Sequence, residues 1–220
     1  AFGEALNESL DLLLPEGNNI IAVMGGTTMA VVAEQLTNLE NNKRHNLFVP
    51  ARGGNGEAVT VQANSVSARM ATKASGNHRA LYVPEQLSLA TYNSLLNEPS
   101  IQEVLNLISQ ANCVIHSIGR ALHMAARRKM TEKELVMLRQ ANAVAESFGY
   151  FFNENGEVVY KVPRIGIELK DLANIPIILA IAGGRSKAKA IRAYMKNAPK
   201  QTWLITDEAA AKEILKGKSL

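Results

Sequence analysis

The sequence predicts an α/β fold with a mostly parallel sheet, flanked by helices and carrying an attached β-hairpin. Buried apolar runs of strand length, such as residues 19–24 and 177–182, alternate with segments of helical periodicity. That alternation runs through the chain with no internal repeat and no low-complexity linker, so one domain over residues 1–220 is expected. Asn153-Glu154-Asn155-Gly156 lies between aromatic and β-branched residues, and Asn-Gly is a strong hairpin signal.

The elements follow in order. Phe2, Leu6, Leu10 and Leu13 are spaced as one face of a helix, which Pro15-Glu16-Gly17 stops. Residues 19–24 form the first strand. Met29, Val32, Ala33 and Leu36 then give an amphipathic helix. A short strand at 47–50 runs into the glycine-rich loop 51–56, a helix at about 62–75 and a strand at 78–83. Helices broken near Pro99 fill 88–110. A buried strand at 112–118 is closed by Gly119-Arg120, and two short helices occupy 121–143. After the hairpin at 148–160 come strand 177–182, helix 186–197, strand 202–206 and a last helix that Asp207 can cap.

Composition narrows the function. With 47% hydrophobic and 20% charged residues, the 220-residue chain can bury a substantial core. A net charge of +4 without a dense Lys/Arg tract gives no argument for nucleic-acid binding by this segment. The one cysteine, Cys113, sits in an apolar run and reads as a buried structural thiol in a reducing, cytoplasmic setting. No signal peptide and no membrane-length apolar run are visible. The first residue is Ala, not Met, so a preceding domain is expected to be missing.

Two turns carry the chemistry. Val23-Met24-Gly25-Gly26-Thr27-Thr28 and Ala182-Gly183-Gly184-Arg185-Ser186-Lys187 each join a buried strand to a helix start through two glycines. Unpaired N–H groups and the positive helix end there hold anions. The first turn, Gly25-Gly26-Thr27-Thr28, fits neither G-x-G-x-x-G nor a Walker A loop. In the first turn Thr27 and Thr28 either help cradle a phosphate or merely cap the helix. In the second, Arg185 and Lys187 face the positive helix end, an arrangement costing roughly 0.3–1 kcal/mol per cation unless an anion binds. Arg52, beside glycines, can fork onto phosphate or be an ordinary loop arginine. Gln62, Asn64 and Ser65 open the next helix and could face the same crevice. Arg127 and Arg128 end a helix, where cations suit the dipole without any ligand. Glu146 can accept sugar hydroxyls or act as a base, whereas His116, at a strand end, is more often a packed residue than a catalyst. No metal-ligand spacing and no nucleophile triad is readable.

These motifs resemble the SorC/DeoR-type sugar-binding transcriptional regulators. Val23–Thr28, Phe48-Val49-Pro50-Ala51-Arg52-Gly53-Gly54, Gln62-Ala63-Asn64, Phe151-Phe152-Asn153-Glu154-Asn155-Gly156, residues 182–191 and Leu204-Ile205-Thr206-Asp207-Glu208 occur there in matching order, over essentially the whole chain. The resemblance implies a Rossmann-like fold shared with phosphosugar isomerases and CoA transferases. It implies the effector-binding domain of a repressor of glycolytic genes, with no cofactor and with a phosphorylated sugar, foremost fructose 1,6-bisphosphate, as effector. Gly26, Thr27, Thr28 and the Met29 backbone would hold one phosphate. Arg52, Gln62, Arg127, Arg128 and Lys187 would complete the site around the other phosphate and the sugar, and Glu146 would bind sugar hydroxyls. Self-association into a dimer or tetramer would follow, with operator DNA reached only through an N-terminal domain and no membrane involved. The family often has Gly-Ile-Gly where this chain has His116-Ser117-Ile118-Gly119. Two rivals remain: a sugar-phosphate isomerase or deaminase using Glu146 or His116 as base, and a plain nucleotide-binding domain.

Overall fold

The structure is a computed structural model that describes residues 2–41, 43–54, 58–83 and 88–216. Asn55 and Gly56 of the expected 51–56 loop lie outside the described residues. Helix α1 (Phe2–Leu13) buries Leu6 and Leu10. β1 (Gly17–Val23) leads into α2 (Thr27–Glu34), and β2 (Arg44–Pro50) leads, past a 3-10 turn at Val59–Val61, into α3 (Ala63–Ala74). A brief β3 (Asn77–His78) precedes α4 (Leu89–Leu96) and α5 (Pro99–Ser109), which carries Pro99 in its first turn. Then come β4 (Cys113–Ser117), β5 (Gly119–Arg120), α6 (Ala121–Arg127) and α7 (Glu132–Gln140). β6 (Ala143–Ser147), β7 (Tyr150–Asn153) and β8 (Val158–Lys161) follow. The chain closes with β9 (Ile177–Ile181), α8 (Ala188–Lys196), β10 (Thr202–Ile205) and α9 (Glu208–Leu215).

Six strands form one parallel sheet in the order β10-β9-β4-β1-β2-β3. Alternate residues of β1 enter different cores. Ala22 packs with α5 and α8 on one face, while Ile21 and Val23 pack with α1, α2 and α3 on the other. Burial on both faces is why these strands read as continuous apolar runs. From β1 the chain moves outward to β2 on one side, and from β4 to β9 on the other. Open α/β sheets bind ligands at such a switch point, in the crevice beyond the carboxyl ends of the two central strands.

The expected hairpin belongs to a second, four-stranded antiparallel sheet, β5-β6-β7-β8. Its β7–β8 turn forms as anticipated: Asn153 Oδ1 accepts from the Asn155 and Glu157 amides, and Gly156 takes φ 79°. Two strands of this sheet were not expected. β6 is the small-residue stretch 143–147, and Gly119-Arg120 is itself a strand, not just a strand end. The strand expected at 78–83 shrinks to Asn77–His78. Beyond it, the side-chain amide of Asn64 brackets Leu81, accepting from its N–H at 2.9 Å and donating to its carbonyl at 2.8 Å, so a side chain takes over from the ladder.

Candidate functional site

A cavity of about 140 Å³ opens at the switch point. Its floor is the β1–α2 turn from Met24 to Thr28, and Ser117 at the end of β4 with Gly119 and Arg120 of β5 form another side. His123, Met124, Arg127 and Arg128 line it from α6 and its C-terminal end. Glu146 comes from β6 and Phe148 from the β6–β7 turn, and Ser186 and Lys187 from the turn before α8.

The two Gly-Gly turns differ in what meets their amides. In the first, Gly26 is the N-cap of α2 at φ 128°, and no side chain caps it. Thr27 and Thr28 are therefore the first two helical residues and not caps, which removes the capping role that their position suggested. The Gly26 amide donates to the Val61 carbonyl at 2.8 Å, so the turn is anchored from behind while the α2 N-terminus faces the cavity. Met29 is fully buried and does not line the cavity, so only its amide, at the third position of α2, is left for the ligand reading.

In the second turn the protein supplies its own anion. Asp207 Oδ2 accepts from the Gly184 amide at 2.6 Å, while its Oδ1 caps α9 by accepting from the Ala210 amide at 2.8 Å. A Cβ on Gly183 would stand 2.2 Å from the Phe2 ring and 2.4 Å from Asp207 Oδ2, so the Gly183 side of this turn is closely packed. The expected 186–197 helix begins as a 3-10 turn, Arg185–Lys187. Arg185 points outward toward Glu213 at 3.8 Å. What the turn offers the cavity is Lys187, whose pKa is lowered by burial first and then by Arg120 and Arg127.

Glu146 is buried, and its Oε1 accepts from Arg128 Nη2 at 2.9 Å and from the Gly149 amide at 2.8 Å. Arg127 reaches across to Thr27, its Nη1 lying 3.5 Å from Oγ1. Thus Gly26, Thr27, Thr28, Arg127, Arg128, Glu146 and Lys187 converge on one cavity.

Arg52 and Gln62 lie behind it. Arg52 is 2% exposed, and burial, followed by the neighbouring charge of Arg164, brings its pKa down to about 10. Arg52 borders a void of about 20 Å³ that shares Met24, Gly25 and Arg128 with the main cavity. Nε and Nη1 of both Arg52 and Arg128 are buried without a hydrogen-bond partner. Gln62 is the N-cap of α3 and borders a separate groove with Asn64 and Ser65. His116 does not line the cavity and is fully buried, which removes it as a surface base.

Sequence reasoning missed Arg120 and His123. Arg120 was legible: it stands at a strand end and at the N-cap of a helix, the placement that singled out Lys187. Among the described residues no cluster of His, Cys, Asp and Glu could hold a metal, and no helix is long and apolar enough to cross a membrane.

A family model described as "Putative sugar-binding domain" matches residues 1–216. The chain is 52% identical over 200 residues to the central glycolytic genes regulator of Bacillus subtilis, and 50% identical over 200 residues to that of Priestia megaterium. These matches take in 91% and 90% of this chain but 58% and 57% of the relatives, so the chain spans somewhat more than half their length. A solved structure from Enterococcus faecalis, assigned to the SorC family of transcriptional regulators, superposes with a TM-score of 0.94 at 76% identity, covering 98% of this chain and 87% of that one. The full-length sorbitol operon regulator SorC of Klebsiella pneumoniae gives 0.86 at 19% identity, covering 98% and 72%, a likeness of fold.

Proposed function

This chain belongs to the sugar-binding domain family, and from that premise we propose that it is the effector-binding domain of a transcriptional repressor of glycolytic genes, sensing fructose 1,6-bisphosphate. The names of the relatives support the regulatory role, and none of those cited is named as an enzyme. DNA would be contacted by a further domain on the N-terminal side, and effector binding would shift the population of DNA-competent states or oligomers.

One observation carries the ligand class: an uncapped helix N-terminus and an excess of cations face the same cavity. Among the described residues its walls carry Arg120, Arg127, Arg128 and Lys187 against one carboxylate, Glu146, which pairs with Arg128. A sugar bisphosphate carries about −3 to −4 at neutral pH. In this reading one phosphate takes the amides of Thr27, Thr28 and Met29 with the two threonine hydroxyls. The other lies among Arg127, Arg128 and Lys187, and Glu146 accepts from sugar hydroxyls. Arg52 is reached through the Met24–Gly25 edge that both voids share, whereas Gln62 borders the separate groove at the start of α3. The unpartnered guanidinium nitrogens of Arg52 and Arg128 favour this, since buried donors without acceptors cost about 1–3 kcal/mol each.

Thermal unfolding of the domain with fructose 1,6-bisphosphate and with fructose 6-phosphate tests the proposal. At a hundred times Kd the bisphosphate should add about 2.7 kcal/mol, raising Tm by roughly 5–10 °C for a domain of this size. No shift at millimolar bisphosphate sinks the proposal. Turnover of either sugar would favour the isomerase alternative.

A further inference from the structure

His116 sits at the centre of a buried polar chain that the ligand reading does not use. Its Nδ1 lies 2.9 Å from Ser147 Oγ and 3.3 Å from the Ser117 carbonyl, and its Nε2 lies 3.4 Å from the Tyr194 hydroxyl. The Ser147 hydroxyl donates to the Ser117 carbonyl at 2.9 Å. A carbonyl only accepts and a hydroxyl has one proton, so Ser147 can only accept from the imidazole. That fixes the ring proton on Nδ1 and leaves Nε2 to accept from Tyr194. The ring also packs on Phe148, centroids 4.5 Å apart, and on Tyr194 at 5.2 Å. Burial holds the pKa down at about 4, so the ring is neutral at physiological pH.

The ends of this chain belong to elements that lead to two walls of the cavity, at Phe148 and at Lys187. Ser147 precedes the turn Phe148-Gly149, where φ is 55° and 78°, the positive pair of a type I′ turn. A bulky residue such as Phe148 is disfavoured in that conformation and persists only where its surroundings over-determine it. The same turn lends the Gly149 amide to Glu146, which in turn holds Arg128. Tyr194 belongs to α8, the helix that begins directly after Lys187.

We propose that His116 is a positioning residue for the ligand site: it pins the Ser147–Gly149 turn, and with it Glu146 and Arg128, in fixed relation to the helix that carries Lys187. The ligand used to test this rests on the sugar-phosphate reading, whereas the geometry does not.

Two substitutions separate positioning from packing. In His116→Asn the amide nitrogen can take the place of Nδ1 and keep the bond to Ser147, but the shorter side chain leaves a cavity. In His116→Phe the volume is kept and both hydrogen bonds are lost. A purely structural role therefore favours Phe over Asn in every measurement. Positioning predicts a split: Asn lowers Tm more, yet Phe damages the site more. For His116→Phe, hydrogen exchange at the Gly149 amide in the unliganded protein and the Kd for fructose 1,6-bisphosphate should each rise about tenfold, the weight of one net hydrogen bond. His116→Asn should stay within about threefold of the parent in both. If exchange and Kd simply follow Tm, or if Phe leaves them unchanged, the proposal fails. Should the parent protein not bind the bisphosphate, the sugar-phosphate reading falls and the exchange measurement alone decides the role of His116. Should His116→Phe not fold, Ser147→Ala removes the same bond from the other side, and unchanged Gly149 exchange there overturns the proposal.

Discussion

Replacing Lys187 with Met should weaken fructose 1,6-bisphosphate binding by about 10- to 100-fold without destabilising the empty domain. The ammonium is disfavoured in the unliganded protein by burial and by the charges of Arg120 and Arg127, and it stands at the N-cap of α8, facing the positive helix end. Such a cation costs roughly 0.3–1 kcal/mol. Methionine keeps most of the apolar stem of this half-buried side chain. Removing the charge should therefore leave stability unchanged or raise it by that amount, about 1–3 °C in Tm for a domain of this size. With ligand present the sign reverses, because a charge-assisted hydrogen bond to phosphate is worth about 1.5–3 kcal/mol, at about 1.4 kcal/mol per factor of ten. Calorimetric titration and thermal unfolding measure the two quantities, with Lys187→Arg as the charge-keeping control. Unaltered affinity would refute the reasoning. So would a loss of affinity accompanied by more than about 1 kcal/mol of destabilisation, a cost typical of mutations that damage packing.

Gly26→Ala should cost about 1–3 kcal/mol from backbone conformation alone, since φ is 128° while a new Cβ meets only Ser117 Oγ at 3.6 Å; thermal unfolding reads the cost, and bisphosphate affinity should fall with it. Arg128→Met strands the buried Glu146 carboxylate and should destabilise by about 3–5 kcal/mol in urea unfolding, whereas adding Glu146→Gln to it should recover part of that loss. His116 titrates near 6.5 when unfolded and at about 4 when folded, so the unfolded chain binds the extra proton between these values. Its contribution is complete above pH 6.5 and is lost as pH falls toward 4, by about 3 kcal/mol, and this slope should be absent in His116→Phe. Bisphosphate affinity should also fall between pH 7.5 and 5.5, because the ligand phosphates take up protons near pH 6; titration calorimetry at the two values checks it.

Most of the parallel sheet was legible because doubly buried strands must be continuous apolar runs, as in residues 19–24 and 177–182. β6 was not, because Ala143-Val144-Ala145-Glu146-Ser147 lacks the β-branched and aromatic density that marks a strand. β3 was over-read because local pattern cannot foresee that Asn64 would take the Leu81 backbone from the ladder. The site was legible as two Gly-Gly turns, yet their ranking inverts in three dimensions. The turn before α8 has the sharper signature in sequence, from the charge of Lys187, but Asp207, 23 residues from Gly184, fills its amide. The turn before α2 has two threonines that suit a capped helix, yet no side chain caps it. The interior position of Arg52 likewise depends on long-range partners, among them the Val162 carbonyl at 3.4 Å and the neighbouring charge of Arg164.

The most direct test is a crystal structure of the domain soaked with fructose 1,6-bisphosphate. One phosphate should lie within hydrogen-bond distance of the Thr27, Thr28 and Met29 amides, and the other should contact Lys187, with Glu146 on a sugar hydroxyl. Both phosphates elsewhere, on the outer basic face of α8 at Lys189 and Arg192 for example, would contradict the account.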